Sequence, residues 1–353
     1  MAVFLFVDFG GRLPIGGAES TAENYSGWWL RFRQRPSWTA MAMVRSVPEI
    51  EHAGESAMSK QEMDVVVQLL NANQTDDEPT VAEMRAGMEQ LAGTFPLPEG
   101  AQQQAGTIAG VPCEWQWVEG AKDDAVLLYF HGGGYVVGSV NTHRGLVSGF
   151  SKASGLKGLS VDYRLAPENP FPAAVEDAVA VYSALLDRGR DPSTIAVAGD
   201  SAGGGLSLAL LLAARDRGLP QPACAALLSP WTDLRIVAMA YETRKDADPM
   251  VRKDGISAMA AHYLAGSDPT DPLASPILAD LSGLAPMIIH VGDREVLLDD
   301  SVELAKRAEA AGVDVSLKIW PDMIHVFQAF YPMVEEARES IAEMGAYIAA
   351  KTA

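Results

Sequence analysis

The sequence predicts an α/β fold: a mostly parallel sheet with helices on both faces. Three observations carry that expectation. The chain has 353 residues, 48% hydrophobic and 21% charged, enough to bury a large core and unlike a disordered or collagen-like chain. Short β-rich runs alternate with helical stretches through most of its length. Several of those runs are apolar throughout, as strands covered on both faces must be.

Taken in order, residues 1–57 form an irregular N-terminal extension. They hold two Gly-Gly pairs, the basic stretch from Arg31 to Arg35, and Trp28, Trp29 and Trp38, with no helical or strand period. This segment reads either as a mobile arm or as one docked by its tryptophans. The main domain is expected over 58–353. Ser59 suits a helix N-cap before Met63, Val66, Val67 and Leu70, which recur at helical spacing. A second helix fits 81–91, with Thr80 as cap and Glu83 at the capping-box position. Residues 114–118 alternate at period two, as a half-buried antiparallel strand does. Strands are then expected at 125–130, 158–162, 195–199, 224–229, 287–291 and 315–320. Helices fit 173–187, 202–217, 301–311 and 334–350. The interval 235–280 breaks the rhythm with a helix at 256–265 and a Pro/Asp-rich run, as an insertion above the sheet would.

Charge and cysteine usage narrow the function. The formal charge is −19, so phosphate backbones and anionic membranes are poor partners. Cys113 and Cys224 match no metal motif and suit buried thiols of a reducing compartment. The apolar opening from Met1 to Val7 is short, lacks a cationic start and meets Asp8. Neither a signal peptide nor a membrane span is expected, and the default location is cytoplasmic.

The strongest chemical signal is Gly199-Asp200-Ser201-Ala202-Gly203 between a strand and a helix. This strand–turn–helix Gly-x-Ser-x-Gly presents a serine hydroxyl at a strand end, facing the positive end of the helix dipole. The run His131-Gly132-Gly133-Gly134-Tyr135 follows an earlier strand. Its backbone amides suit an oxyanion hole, and Gly133, Gly134 and Ala202 are the expected donors, each worth about 3–4 kcal/mol in the transition state.

A serine needs a general base. His52 lies in the extension, His131 in the glycine loop, His143 at the start of a surface helix, His262 on the insertion and His290 inside a strand. His325 follows a late strand on a short loop, the place where such a base sits in an open α/β sheet. The acid orienting it should come from the turn after 287–291. Asp299 and Asp300 sit beside a helix start and read as capping charges. The choice lies between Asp293 and Glu295.

Together these residues resemble the hormone-sensitive-lipase-like branch of the α/β-hydrolase esterases, bacterial esterase family IV. The resemblance runs from about Met58 to the C-terminus. Besides the glycine loop, the serine turn and the His325 loop, it rests on Tyr163-Arg-Leu-Ala-Pro-Glu168, Pro170-Phe-Pro172 and Ser229-Pro-Trp-Thr-Asp233. It implies an eight-stranded hydrolase core, with a helical cap from about 60–93 and 235–280. The family's acid usually lies in Asp-Pro-Leu-x-Asp, which aligns with Glu295-Val296-Leu297-Leu298-Asp299. The resemblance therefore names Glu295, with valine in place of proline, and leaves Asp293 as the alternative.

The expected activity is a serine carboxylesterase acting on small neutral short-chain esters through an acyl-enzyme, with no cofactor or metal. Tyr135, Tyr263 and Phe327 are expected pocket walls. A lactone hydrolase or an amide (N-acetyl) hydrolase would use the same machinery. A non-catalytic ligand-binding protein on this fold would be expected to lack His325. The partner expected is a small-molecule ester rather than nucleic acid or membrane, and whether the chain forms a homodimer is left open.

Overall fold

The computed structural model describes residues 50–72, 79–93 and 95–353. Residues 59–353 form one compact unit. The extension expected over 1–57 lies outside the described residues, apart from the start of helix α1 (Ile50–Ala72). Because α1 already runs from Ile50, Ser59 is inside it and is not its N-cap. Residues 50–58 include helix formers such as Glu51, Ala53, Glu55 and Ala57, but no apolar stripe. They therefore left no period to read. Helix α2 (Val81–Ala92) starts as expected, with a reciprocal capping box between Thr80 and Glu83.

Among the described residues eight strands form one sheet in the order β1-β2-β4-β3-β5-β6-β7-β8. They are β1 (Ala101–Ile108), β2 (Val111–Val118), β3 (Lys122–Phe130), β4 (Leu156–Val161), β5 (Ile195–Asp200), β6 (Cys224–Leu228), β7 (Met287–Gly292) and β8 (Val315–Trp320). Strand β2 is antiparallel to both β1 and β4, and every other pairing is parallel. Strand β1 was not expected. Its sequence Ala-Gln-Gln-Gln-Ala-Gly-Thr-Ile has no apolar alternation, and six consecutive residues are exposed. It exists because Ala109 and Gly110, both at positive φ, turn the chain back along β2 as hairpin geometry requires.

The remaining helices are α3 (Arg144–Ser154), α4 (Ala173–Asp187), α5 (Ala202–Asp216), the short α6 (Ala240–Thr243), α7 (Lys253–Leu264), α8 (Leu298–Ala310) and α9 (Glu335–Lys351). The pleat explains the layering. Alternate residues Val126, Leu128 and Phe130 of β3 pack with α4, α5 and α8, while Leu127 and Tyr129 pack with Phe150 of α3 and Ile341, Met344 and Ile348 of α9. A third apolar cluster joins Met63, Val66 and Leu70 of α1 to Trp320 at the end of β8 and to Ile324, Phe327 and Phe330 beyond it. Truncating a fully buried residue such as Phe130 would cost about 3–5 kcal/mol.

The topology also fixes where chemistry can occur. From β3 the chain moves outward to β4, then returns across to β5 on the other side. The loop after β3 and the turn after β5 therefore meet at the carboxyl edge, at a switch point of the sheet. No helix among the described residues is long and apolar enough to cross a membrane.

Candidate active site

The turn between β5 and α5 holds Ser201 at φ 52°, ψ −121°, a backbone conformation that costs a non-glycine residue free energy. Neighbouring bonds maintain it. The Ser201 N–H donates to the Leu228 carbonyl at 2.8 Å, and its carbonyl accepts from Trp231 N–H at 2.9 Å. The glycines flanking it are steric necessities: a Cβ at Gly203 would overlap the Phe130 and His131 carbonyls, so only glycine lets α5 start this close to the end of β3. The side-chain hydroxyl of Ser201 is partly exposed and has no hydrogen-bond partner among the described residues.

Two further turns bring an imidazole and a carboxylate together. After β7, Asp293 N–H donates to Trp320 O at 3.1 Å and Arg294 N–H to Met323 O at 3.0 Å. These bonds zip the β7 turn to the loop after β8. Within this clasp His325 Nδ1 lies 2.6 Å from Glu295 Oε2. Glu295 is fully buried, and its Oε1 accepts from Ser229 Oγ and from Gly292 N–H, each at 2.7 Å. Ser229 also accepts from Val326 N–H at 3.2 Å, and its residue follows Leu228, the acceptor of the Ser201 amide. One continuous set of bonds therefore links the serine turn, the carboxylate and the imidazole. Burial opposes a charge on His325, but the Glu295 carboxylate, with Asp248 and Asp200 further off, raises the imidazole above its ordinary value. Asp293 makes no bond to His325, and its buried Oδ1 has no partner.

The glycine loop after β3 closes the other side. Gly133 and Gly134 adopt φ 114° and 60°, and a Cβ at Gly134 would strike the Met259 side chain of α7. Among the described residues no acceptor meets the N–H of Gly133, Gly134 or Ala202. Asp200, beside the serine, holds the loop. Its Oδ1 accepts from Gly132 N–H at 3.1 Å and Tyr129 Oη at 2.7 Å, while Oδ2 lies 3.3 Å from His143 Nε2. His143, expected to open a surface helix, turns its ring inward to a buried carboxylate. Burial penalises the charge on Asp200, but His143 outweighs it and lowers its carboxyl; Asp200 in turn raises His143 against the same penalty. His131 plays a structural part: its Nδ1 lies 2.7 Å from Gly132 O and it stacks on Tyr163 at 4.3 Å. Burial drives its pKa to about 3, so it is neutral.

The remaining expectations fall into place as follows. Asp299 and Asp300 lie in the first turn of α8, where their charge suits its dipole, but neither side chain caps it. Asp300 accepts from Thr232 and Asp233 N–H at 2.8 and 3.0 Å, and Asp299 from Ala240 N–H at 2.8 Å, so both hold the chain after β6. Tyr135 and Tyr263 stack face to face at 3.9 Å, fully buried beside Trp231 and Phe171. Phe327 lies apart from them, against Trp320 in the third cluster. Sequence reasoning missed Arg85. From α2 it donates to the carbonyls of Val136 and Ala166 and to Glu168, all at 2.8 Å, and so anchors α2 to the glycine loop. No group of three or more His, Cys, Asp or Glu residues suited to a metal ion occurs among the described residues.

Comparison with known proteins agrees with this fold. A family model described as the α/β-hydrolase fold matches residues 127–329. An acetyl-hydrolase of Streptomyces hygroscopicus is 40% identical over 299 residues, spanning 84% of this chain and 98% of that one. An esterase of Acinetobacter venetianus is 34% identical over 265 residues, covering 75% and 87% of the two chains. Among solved structures, an esterase from the bacterial hormone-sensitive lipase family superposes with a TM-score of 0.81 at 45% identity, over 83% of this chain and 99% of its own.

Proposed function

The chain belongs to the α/β-hydrolase family, among its hormone-sensitive-lipase-like esterases, and on that premise we propose that Ser201, His325 and Glu295 form its catalytic triad. It is a carboxylic ester hydrolase acting on a small-molecule ester. The observation that carries the triad reading is the buried 2.6 Å contact of His325 Nδ1 with Glu295. It engages one ring nitrogen and leaves Nε2 open on the edge where Ser201 sits.

In this reading His325 Nε2 takes the Ser201 hydroxyl proton as Oγ attacks the ester carbonyl. The amides of Gly133, Gly134 and Ala202 receive the oxyanion, aided by the N-terminal dipole of α5. Glu295 steadies the imidazolium, as the acid of a serine triad does. His325 then returns the proton to the departing alkoxide, and water cleaves the acyl-enzyme by the same route. The hydrogen bond between hydroxyl and imidazole is not formed among the described residues, and in this reading it forms when substrate arrives, as is common for catalytic hydrogen bonds.

The acyl group is proposed to be short, and the S. hygroscopicus acetyl-hydrolase supports an acetyl group in particular. We also propose that α1, α2 and the 235–280 segment act as a cap over this edge, supported by Met259 lying against Gly134. A cytoplasmic location is supported by Cys113 and Cys224, both free and buried, and a neutral substrate by the charge of −19. Hydrolysis of p-nitrophenyl acetate, butyrate and longer esters, alongside an N-acetyl anilide, tests the whole reading. Fastest turnover on the acetate or butyrate, lost in Ser201→Ala, is expected. Undiminished turnover by Ser201→Ala would overturn it.

A further inference from the structure

Resting on the triad reading, we propose that Asp248 is a positioning residue that aligns Glu295 on His325 through the backbone of Val296. Asp248 lies in the segment between α6 and α7, far from Glu295 in sequence, yet is only 3% exposed. Its Oδ2 accepts from Val296 N–H at 2.9 Å, and its Oδ1 accepts from Met250 N–H and Val251 N–H, both at 2.9 Å. One buried carboxylate thus ties the base of the 235–280 segment to the peptide unit immediately after Glu295.

The need for that tie follows from the sequence. Val296 is fully buried, and its N–H must find an acceptor or stay unpaired out of water. Where the resembling family carries proline, that position has no N–H to satisfy. Valine here brings a donor, and Asp248 meets it. The peptide so held is the one from which the Glu295 side chain reaches out. Its two oxygens must meet His325, Ser229 and Gly292 within 2.6–2.7 Å. A glutamate has one more rotatable bond than an aspartate, so fixing its backbone matters more. Burial also raises the Asp248 carboxyl, which faces the His325 charge.

A double-mutant cycle on the full chain tests this. In Asp248→Ala, kcat should fall by up to about 100-fold, the scale of a small misplacement of catalytic groups, with KM little changed. The far-downfield NMR signal of the His325 Nδ1 proton should weaken. Val296→Pro removes the donor, so Asp248→Ala should cost several-fold less in that background. An equal fall in both backgrounds, or unchanged kcat and proton signal, would refute the tie. Should Asp248→Ala not fold, Asp248→Asn, whose single oxygen can serve only one set of amides, should give an intermediate fall; wild-type kcat and signal in it would refute the tie equally. Glu295→Ala separates the two levels of argument. If it keeps full activity the triad reading fails, whereas loss in Glu295→Ala with none in either Asp248 variant removes only this inference.

Discussion

Among the described residues two histidines each face a buried carboxylate at the carboxyl edge of the sheet, and the pairs are wired differently. In His325–Glu295 one ring nitrogen is bound at 2.6 Å, and among the described residues no protein group engages the other. In His143–Asp200 the Nε2 faces the carboxylate at 3.3 Å while Nδ1 is already taken by Thr142 Oγ1 at 2.8 Å and Ser139 O at 3.3 Å. Both imidazoles are raised by their carboxylate against the penalty of burial. What separates the two pairs is therefore not the charge but the second nitrogen. An imidazole saturated on both sides can only hold structure, and this one clamps the glycine loop to the serine turn.

The comparison is broken most sharply by removing each ring in turn. His325→Ala is expected to lower kcat/KM by about 10⁴-fold or more, whereas His143→Phe should leave measurable turnover. Equal losses from the two would erase the distinction. Next in size, Glu295→Gln should cost about 10⁴-fold in kcat, on the scale seen when a triad acid loses its charge, while Asp293→Asn stays within about threefold. Steady-state kinetics on p-nitrophenyl acetate reads both.

On the stability side, His143→Phe leaves Asp200 as an unpaired buried charge and should destabilise the fold by about 3 kcal/mol, read by urea unfolding. The pH dependence of that contribution has two edges. The raised imidazole stabilises fully below its unfolded value near 6.5 and loses that contribution as pH rises through the folded value; the lowered Asp200 carboxyl stabilises above 3.8 and loses that as pH falls. The gap in stability between wild type and His143→Phe should therefore peak in the window between those values. Activity should show the other pair. His325 must be neutral to accept a proton, so kcat/KM falls on the acid side through its raised pKa. Glu295→Gln should move that limb to lower pH in its residual activity. Smallest of all, Glu168→Gln breaks an exposed pair with Arg85 and should cost less than about 1 kcal/mol.

Sequence patterns showed local things well. The buried strands β3, β5, β6 and β7 announced themselves as apolar runs, and Gly199 to Gly203 named the serine because a strained turn tolerates few residue types. They failed where an element depends on its partner. Strand β1 has exposed glutamines and exists by pairing with β2, and the first turns of α1 carry no apolar stripe. His143 read only as the opening of a surface helix because nothing in its neighbours reveals the Asp200 carboxylate beneath it.

By itself, then, the chain specified the class of fold, the serine, the glycine loop and the histidine following β8, since each is encoded within a few consecutive residues. Which of Asp293 and Glu295 meets His325 could not be read from residue pattern alone. In the folded chain it depends on Gly292, whose missing side chain lets the turn press against the Met323 carbonyl, and on Ser229 and Gly292 N–H gripping one oxygen of Glu295. The bonds of Arg85, Asp200 and Asp248 likewise exist only in three dimensions. Their bonds join segments far apart in sequence, and a hydrogen bond depends on distance and angle between chains that no local pattern records.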